Sequence, residues 1–314
     1  MTGPLVLDAA GVVERCPPEV AAAAVEQALL DGLDPAGDVP RVAVPVDAGH
    51  LLLMPSQARS GHVGVKVVGV APANPAAGLA RIQATYLLLD AATLTLAAVI
   101  DGAALTTLRT PAVSVAAVRS HLVRRDGPLD VVVIGAGPQA LAHAAALRAS
   151  IGPHRPCSAR FVVRDTRRAA SRLPEGAPVA VLGSAEAGDL VGGADVVVCA
   201  TSARSPLFAG DAVADHAVVI AVGSHEPDAR EVDAALCRRA TVVVEDRDVA
   251  MREAGDVVLA VGEGALDPDE LVPIADVVTG RVVPPVDRPL LFKSVGMAWE
   301  DLVVAGAIVG AGGG

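Results

Sequence analysis

Aromatic side chains are nearly missing from this 314-residue chain: Phe, Trp and Tyr make up 2% of it, although 52% is hydrophobic. Alanine and valine supply the apolar content, which suits strands and tightly packed helices and leaves few large side chains for a broad core. Basic charge is also short, with 25 lysines and arginines against 36 acidic residues and a formal net charge of −11. A general nucleic-acid or anionic-membrane binder is thereby excluded, because phosphate affinity needs basic patches. Any anionic ligand must be met by local cations rather than by the field of the whole protein. Cysteine is sparse: Cys16, Cys157, Cys199 and Cys237 are scattered, with no Cys-x-x-Cys pair. That argues against a disulfide framework and fits idle thiols in a reducing cytoplasm. No His/Cys cluster has metal-ligand spacing, so no metal is expected.

Long apolar runs are lacking as well. The apolar stretch "LVVAGAIVGAGGG" is too short for a membrane span of about 20 residues and reads as a docked helix with a frayed glycine tail. No secretory signal is expected, since Asp8 interrupts the first apolar stretch and no basic segment precedes it. There is no repeat of 20–50 residues and no low-complexity linker.

What is present has two grammars. "PEVAAAAVEQALLDG" (18–32) has helix formers, an acidic start and a terminal glycine, the signature of a helix. The short runs "RVAVPV", "HLLLMP", "GVKVVGV", "ATYLLLD" and "TLAAVID" follow, broken by Pro, Gly, Asn and Asp, and predict one antiparallel or mixed sheet. "TTLRTPAVSVAAVRSHLVR" predicts a helix with its proline near the start, where proline is tolerated. From Leu129 the runs become continuous and β-branched, "DVVVIG", "ARFVVRD", "PVAVLG", "ADVVVCAT", "HAVVIAVG" and "ATVVVED". Runs apolar on both faces are those of buried parallel strands. With helix-like gaps between them, they predict an α/β fold with a Rossmann-type doubly wound parallel sheet.

The first of these runs leads into Gly135-Ala136-Gly137-Pro138-Gln139-Ala140. By itself a Gly-x-Gly-x-x-Ala turn marks a tight corner as readily as a phosphate cradle. Its place between a buried-type strand and a helix-like segment favours the cradle, where backbone N–H groups and the helix dipole attract a pyrophosphate. The next strand ends in Asp165, 25 residues beyond Ala140, where an acid can bind both ribose hydroxyls of NAD. Arg164, Arg167 and Arg168 beside it could hold the 2′-phosphate of NADP, so the cofactor reads as NAD with NADP possible. Thr201 and Ser202, and Val222, Gly223 and Ser224, follow later strands at the edge where open α/β sheets bind ligands.

The first part of the chain adds cations: Arg41 in "PRVAVPV", Lys66 in "VGVKVVG" and Arg109 in "LTTLRTPAVS", with Met54-Pro55 in "HLLLMPS". A lone lysine in an apolar strand is costly unless it is paired or solvated at a site. In this order, and through "LLLMPSQ", "VVVIGAGPQA", "AVGSHEPDAREVD", "EAGDVVLAVGEG" and "LFKSVGMAWEDLVVA", the chain resembles the ornithine cyclodeaminase/mu-crystallin family along nearly its whole length. Asp101-Gly102 leading to Arg109-Thr110 is the most specific part.

The resemblance implies a substrate-binding and dimerisation α+β domain over 1–118 plus 293–314 and a dinucleotide-binding domain over 119–292. It implies that Arg41, Lys66 and Arg109, with Met54 nearby, surround the carboxylate and nitrogen of a small amino or imino acid. Thr85 and Arg109 would touch the cofactor, Ser294 would close over it, and a homodimer would form through the first sheet. The sequence departs from the cyclodeaminase pattern twice: the turn reads Val222-Gly223-Ser224-His225 where an aspartate is expected, and only leucines precede Met54-Pro55. That puts proline formation from ornithine in doubt and leaves His225 as a substitute acid–base group or a pocket-rim residue. The expected activity is an NAD(P)-dependent oxidoreductase at the Cα–N bond of a small amino or imino acid. An ornithine cyclodeaminase and a non-catalytic binding protein stand as alternatives.

Overall fold

The β-branched runs pair into two sheets, one in each of the two compact units that make up the chain: Met1–Val113 with Gly296–Gly314, and Ser114–Val295. The computed structural model describes residues 3–57 and 61–311. The expected glycine tail, 312–314, lies outside them.

The first unit contains β1 (Leu5–Leu7), α1 (Ala9–Arg15), α2 (Pro18–Leu30), β2 (Val42–Val46), β3 (Gly49–Gln57), β4 (His62–Val70), β5 (Ile82–Asp90) and β6 (Leu96–Asp101). These strands form a six-stranded mixed sheet in the order β1-β6-β5-β4-β3-β2, with β1 parallel to β6 and the rest antiparallel. Side chains alternate across a strand, and here the alternation decides which residues meet. On β4, Gly64, Lys66 and Val68 are buried, while Val63, Val65 and Val67 are partly exposed. The register sets Met54, Lys66, Tyr86 and Ile100 in one row across four strands.

The helix α3 (Gly102–Leu122) carries the chain from the first unit to the second. It starts earlier than the sequence reading expects, because Asp101 caps it: its Oδ1 accepts from the amides of Ala103 and Ala104. Pro111 therefore lies inside the helix, not near its start. There it deprives the Thr107 carbonyl of an amide donor. Around it the hydroxyls of Thr106, Thr107 and Thr110 donate to carbonyls four residues back.

The second unit continues with β7 (Leu129–Ile134), α4 (Pro138–Ile151), β8 (Cys157–Val163), α5 (Thr166–Ala170), β9 (Val179–Val181), α6 (Ala185–Gly193), β10 (Val196–Cys199), β11 (Val218–Ala221), α7 (Ala234–Arg239), β12 (Thr241–Val244), α8 (Arg247–Glu253), α9 (Gly255–Gly262), β13 (Val272–Pro273), α10 (Ile274–Val278) and β14 (Leu290–Lys293). Its eight strands are parallel, in the order β13-β12-β14-β11-β10-β7-β8-β9. The strand order reverses between β7 and β10, which is where a doubly wound sheet opens a ligand crevice at its carboxyl edge. Residues of β10, β11 and β14 are buried at every position. The strand β14 is absent from the sequence reading: its four apolar residues slot between β11 and β12, out of chain order. The last helix, α11 (Ala298–Gly310), belongs to the first unit and packs on β3, β4 and α2.

Candidate active site

In the second unit a cavity of about 1060 Å³ lies at the carboxyl ends of β7, β8 and β10. That is at the upper end of the roughly 300–1,000 Å³ common for small-molecule sites. Gly135, Ala136, Gly137, Asp165, Thr201 and Ser202 line it. Gly135 has φ +129, and a Cβ there would stand 2.6 Å from the Ala200 carbonyl oxygen, so the turn closes against the end of β10 only with glycine. A Cβ on Gly137 would meet nothing within 4 Å, which leaves room for a ligand over the start of α4. Pro138 is the first residue of that helix, where its missing N–H costs nothing. The open backbone and the positive end of the helix dipole suit a pyrophosphate, so the residues present fit a dinucleotide.

Asp165 lines the cavity, and its Oδ1 also accepts from the amides of Arg167 and Arg168 as the cap of α5. Arg164, Arg168 and Arg172 line the same wall; Arg167 is not among the lining residues. Arg172 is an addition that the sequence reading lacks.

Buried carboxylates brace the far strands. Glu231 accepts from the Thr201 amide and hydroxyl through Oε1, and from the Gly223 amide through Oε2 at 2.6 Å. It thereby ties the ends of β10 and β11 together. Burial pushes the Glu231 carboxyl up, against the pull of Lys293. Glu245 accepts from the Ser294 hydroxyl at 2.7 Å and the Val295 amide at 2.9 Å. Lys293 Nζ sits 2.9 Å from Asp256 Oδ2 and donates to the Ser224 carbonyl, while Asp256 Oδ1 accepts from the amides of Glu231 and Val232. The polar groups of Thr201 and Ser294 are thus held by acids that the motifs did not single out. Val222 continues β11, its backbone N–H donating a hydrogen bond to the Cys199 carbonyl. His225 stands exposed on the loop beyond it.

The first unit assembles the cations. Lys66, 2% exposed, places Nζ 2.7 Å from Asp301 Oδ2 and donates to Thr106 Oγ1 at 3.2 Å. Arg109 pairs through Nη1 with Glu300 Oε2, and its Nε lies 3.5 Å from Asp301 Oδ1. Arg41 donates from Nη2 to the Gly296 carbonyl at 2.7 Å. Gly296 has φ +78, and a Cβ there would fall 2.6 Å from both terminal nitrogens of Arg109. Glycine is what lets the backbone lie flat against the guanidinium. Burial pulls the Lys66 ammonium below the usual lysine range and Arg109 adds to that, while Asp301 and Glu300 oppose it. The cluster can hold a carboxylate on its arginines and supply a proton from its lysine.

Met54 packs in the row beside Lys66, against Val68 and Ala298. Thr85 is not brought to this cluster. It pairs with Val67 and is exposed, one residue out of phase with Tyr86 and so on the opposite face from Lys66. Glu300 and Asp301 are the main omission of the sequence reading. Two adjacent acids in the first turn of a helix look like ordinary dipole complements. The signal was their setting between Ala298-Trp299 and Leu302, a helix start that is apolar on every side and fully buried. Among the described residues no group of three or more His, Cys, Asp or Glu side chains could hold a metal ion. Among the described residues no helix is long and apolar enough to cross a membrane.

A Δ1-pyrroline-2-carboxylate reductase of Burkholderia ambifaria is 35% identical over 275 residues, covering 83% of this chain and 81% of that protein. The ketimine reductase mu-crystallin of Mus musculus is 33% identical over 274 residues, covering 84% and 82%. The structure of Thermococcus litoralis Δ1-pyrroline-2-carboxylate reductase, in complex with NADH and L-proline, superposes with a TM-score of 0.84 at 28% identity, covering 98% of this chain and 97% of that one. A family model matches residues 5–310, and the chain belongs to the ornithine cyclodeaminase/mu-crystallin family.

Proposed function

We propose that this protein is an NAD(P)-dependent reductase of small imino acids, with a cyclic 2-carboxy imine of the pyrroline or piperideine class as substrate. The observation that carries the reading is the buried Lys66 ammonium held beside Arg109. An arginine-bound carboxylate would set the adjacent C=N bond next to a proton donor. Relatives named for Δ1-pyrroline-2-carboxylate and ketimine reduction support it. Arg109 and Arg41 hold the carboxylate by charge-assisted hydrogen bonds, which fixes the α-carbon. Reduced nicotinamide, when bound, would provide the hydride for that carbon. Lys66 gives its proton to the nitrogen, yielding the amine, and regains one from solvent. Asp165 addresses the ribose diol of NAD, and Arg168 and Arg172 offer a site for the extra phosphate of NADP. His225, exposed beyond β11, is assigned the rim.

A second copy of the chain is the proposed cover for the apolar residues of the first sheet, where Val42, Val44 and Val46 are 50%, 38% and 48% exposed. The four unpaired cysteines suit a cytoplasmic enzyme. Mixing the purified protein with NADH or NADPH and each cyclic imine, and following nicotinamide absorbance, tests the reading. Oxidation of the cofactor with stoichiometric cyclic amino acid is the expected result. Ammonia and proline from ornithine with no net NADH change would establish a lyase instead. Dinucleotide binding without turnover on any imine would establish a binding protein.

A further inference from the structure

Of the 25 lysines and arginines, only Lys66 and Lys293 are lysines. Every other basic position is arginine, so lysine occurs only where the chain buries it, at 2% and 1% exposure. Each is held by a buried aspartate, Asp301 and Asp256, that is itself 0% exposed. The two aspartates are not equivalent. Asp256 spends its second oxygen on two backbone amides, whereas Asp301 turns its second oxygen toward Arg109.

We propose that Asp301 is a positioning residue for the reduction: one oxygen anchors the Lys66 ammonium and keeps it charged, the other steadies Arg109, so a single carboxylate sets the proton donor against the carboxylate clamp. The role rests on the imine-reductase reading of the site. The charged and titratable groups around Lys66 are Asp301 and Glu300 from α11, Arg109 from α3 and Tyr86, its cross-strand neighbour on β5; Asp38 stands behind Tyr86. Two cations, Lys66 and Arg109, face two acids, Glu300 and Asp301. Removing Asp301 leaves Lys66 beside Arg109 with the more distant acid alone, and the ammonium gives up its proton more readily.

The scarcity of lysine makes this directly measurable. Trace acetic anhydride, applied across a pH series to the whole protein without cofactor, acetylates a lysine in proportion to its unprotonated fraction. The Lys66 and Lys293 peptides are then quantified separately by mass spectrometry. In Asp301→Asn the Lys66 midpoint should fall by about one unit or more, a roughly tenfold gain in reactivity at fixed pH, with the Lys293 profile unmoved. In imine reduction the alkaline limb of kcat should shift to lower pH by the same amount, so rate lost at neutral pH returns on acidification. An unmoved Lys66 midpoint, or a kcat lowered equally at every pH, overturns the proposal. Should Asp301→Asn not fold, Asp301→Glu decides: the retained charge should keep the Lys66 midpoint within about half a unit of wild type while the displaced ammonium lowers kcat about tenfold. A midpoint that collapses, or a wild-type kcat, overturns it. If wild type reduces no imine, the functional reading fails, yet the acetylation profiles still decide what Asp301 does.

Discussion

The two lysines, one in each unit, show how the same residue pair serves different ends. Lys293 lies at the end of β14 with its ammonium on Asp256 and on the Ser224 carbonyl. Asp256 in turn holds the Glu231 and Val232 amides. Every partner there is fixed by backbone, so the pair is a strut that locks the loop after β11 to the sheet. Lys66 shares its aspartate with Arg109, and its remaining contact is a threonine hydroxyl. Its surroundings are side chains, burial pulls its proton affinity down, and neighbouring acids oppose the pull. A buried lysine tied to backbone contributes rigidity; one balanced among charges is, under the proposed mechanism, the one placed to transfer a proton.

Substitution at Lys66 tests that contrast most severely. Lys66→Arg keeps the charge but cannot release a proton near neutral pH, so imine turnover should fall by about 10²–10⁴-fold with little change in melting temperature. Wild-type turnover in this variant would erase the distinction and move the proton to water or His225. Lys293→Met should do the opposite. Breaking a buried pair leaves Asp256 uncompensated, worth about 3–5 kcal/mol, read as a lower denaturation midpoint. A stable but inactive Lys293→Met protein would break the comparison from the other side.

Acid should sharpen the difference between units, because His121 and His143, both buried, lie in the second. Desolvation pulls each from 6.5 to about 4. His143 Nδ1 donates to the Gln139 carbonyl, so its Nε2 accepts from Ser114. With folded values depressed, the stability they contribute is full above about pH 6.5. It is lost as pH falls toward 4, where the unfolded chain binds the extra protons, up to a few kcal/mol in all. Hydrogen exchange across that window should show the second unit loosening first. Within the first unit, Gly296→Ala forces a Cβ into the Arg109 guanidinium and should raise the imine KM about tenfold, roughly 1.4 kcal/mol, with NADH affinity unchanged in titration. Smallest is Asp165→Ala, which removes a helix cap worth about 1 kcal/mol and should narrow a preference for NAD over NADP only several-fold in paired titrations.

Much of this molecule was legible before folding was considered, and the reasons are local. Continuous valine runs state that both faces of a strand are buried, and the strands of the second unit formed where such runs lie. The Gly135 turn was readable because strand, glycine and helix are contiguous. What stayed hidden depends on residues far apart in sequence. The strand β14 takes its place between β11 and β12 by tertiary pairing, with only four apolar residues to announce it. Pro111 looked like a helix start because the true cap, Asp101, sits at the end of a strand. Lys66, Arg109 and Arg41 drew attention as cations in apolar settings, but their partners lie about 190 to 260 positions later in the chain: Glu300 is 191 residues beyond Arg109, and the Gly296 carbonyl that Arg41 meets is 255 residues beyond it. No window-based reading of pattern spans that distance.

The discontinuity of the first unit has a consequence for how the protein comes into being. Residues 114–295 are a continuous piece with their own parallel sheet, so they can fold as soon as they leave the ribosome, as domains generally do. The six-stranded sheet is synthesised earlier, yet Lys66 and Arg109 have no Glu300 or Asp301 until the last helix has been translated. For the whole time that the second unit is being made, Lys66 on β4 and Arg109 on α3 lack the acids that pair with them in the finished fold. Because α11 is drawn from chain that follows the second unit, charge balance around Lys66 and Arg109 is set only after residues 114–295 have been made.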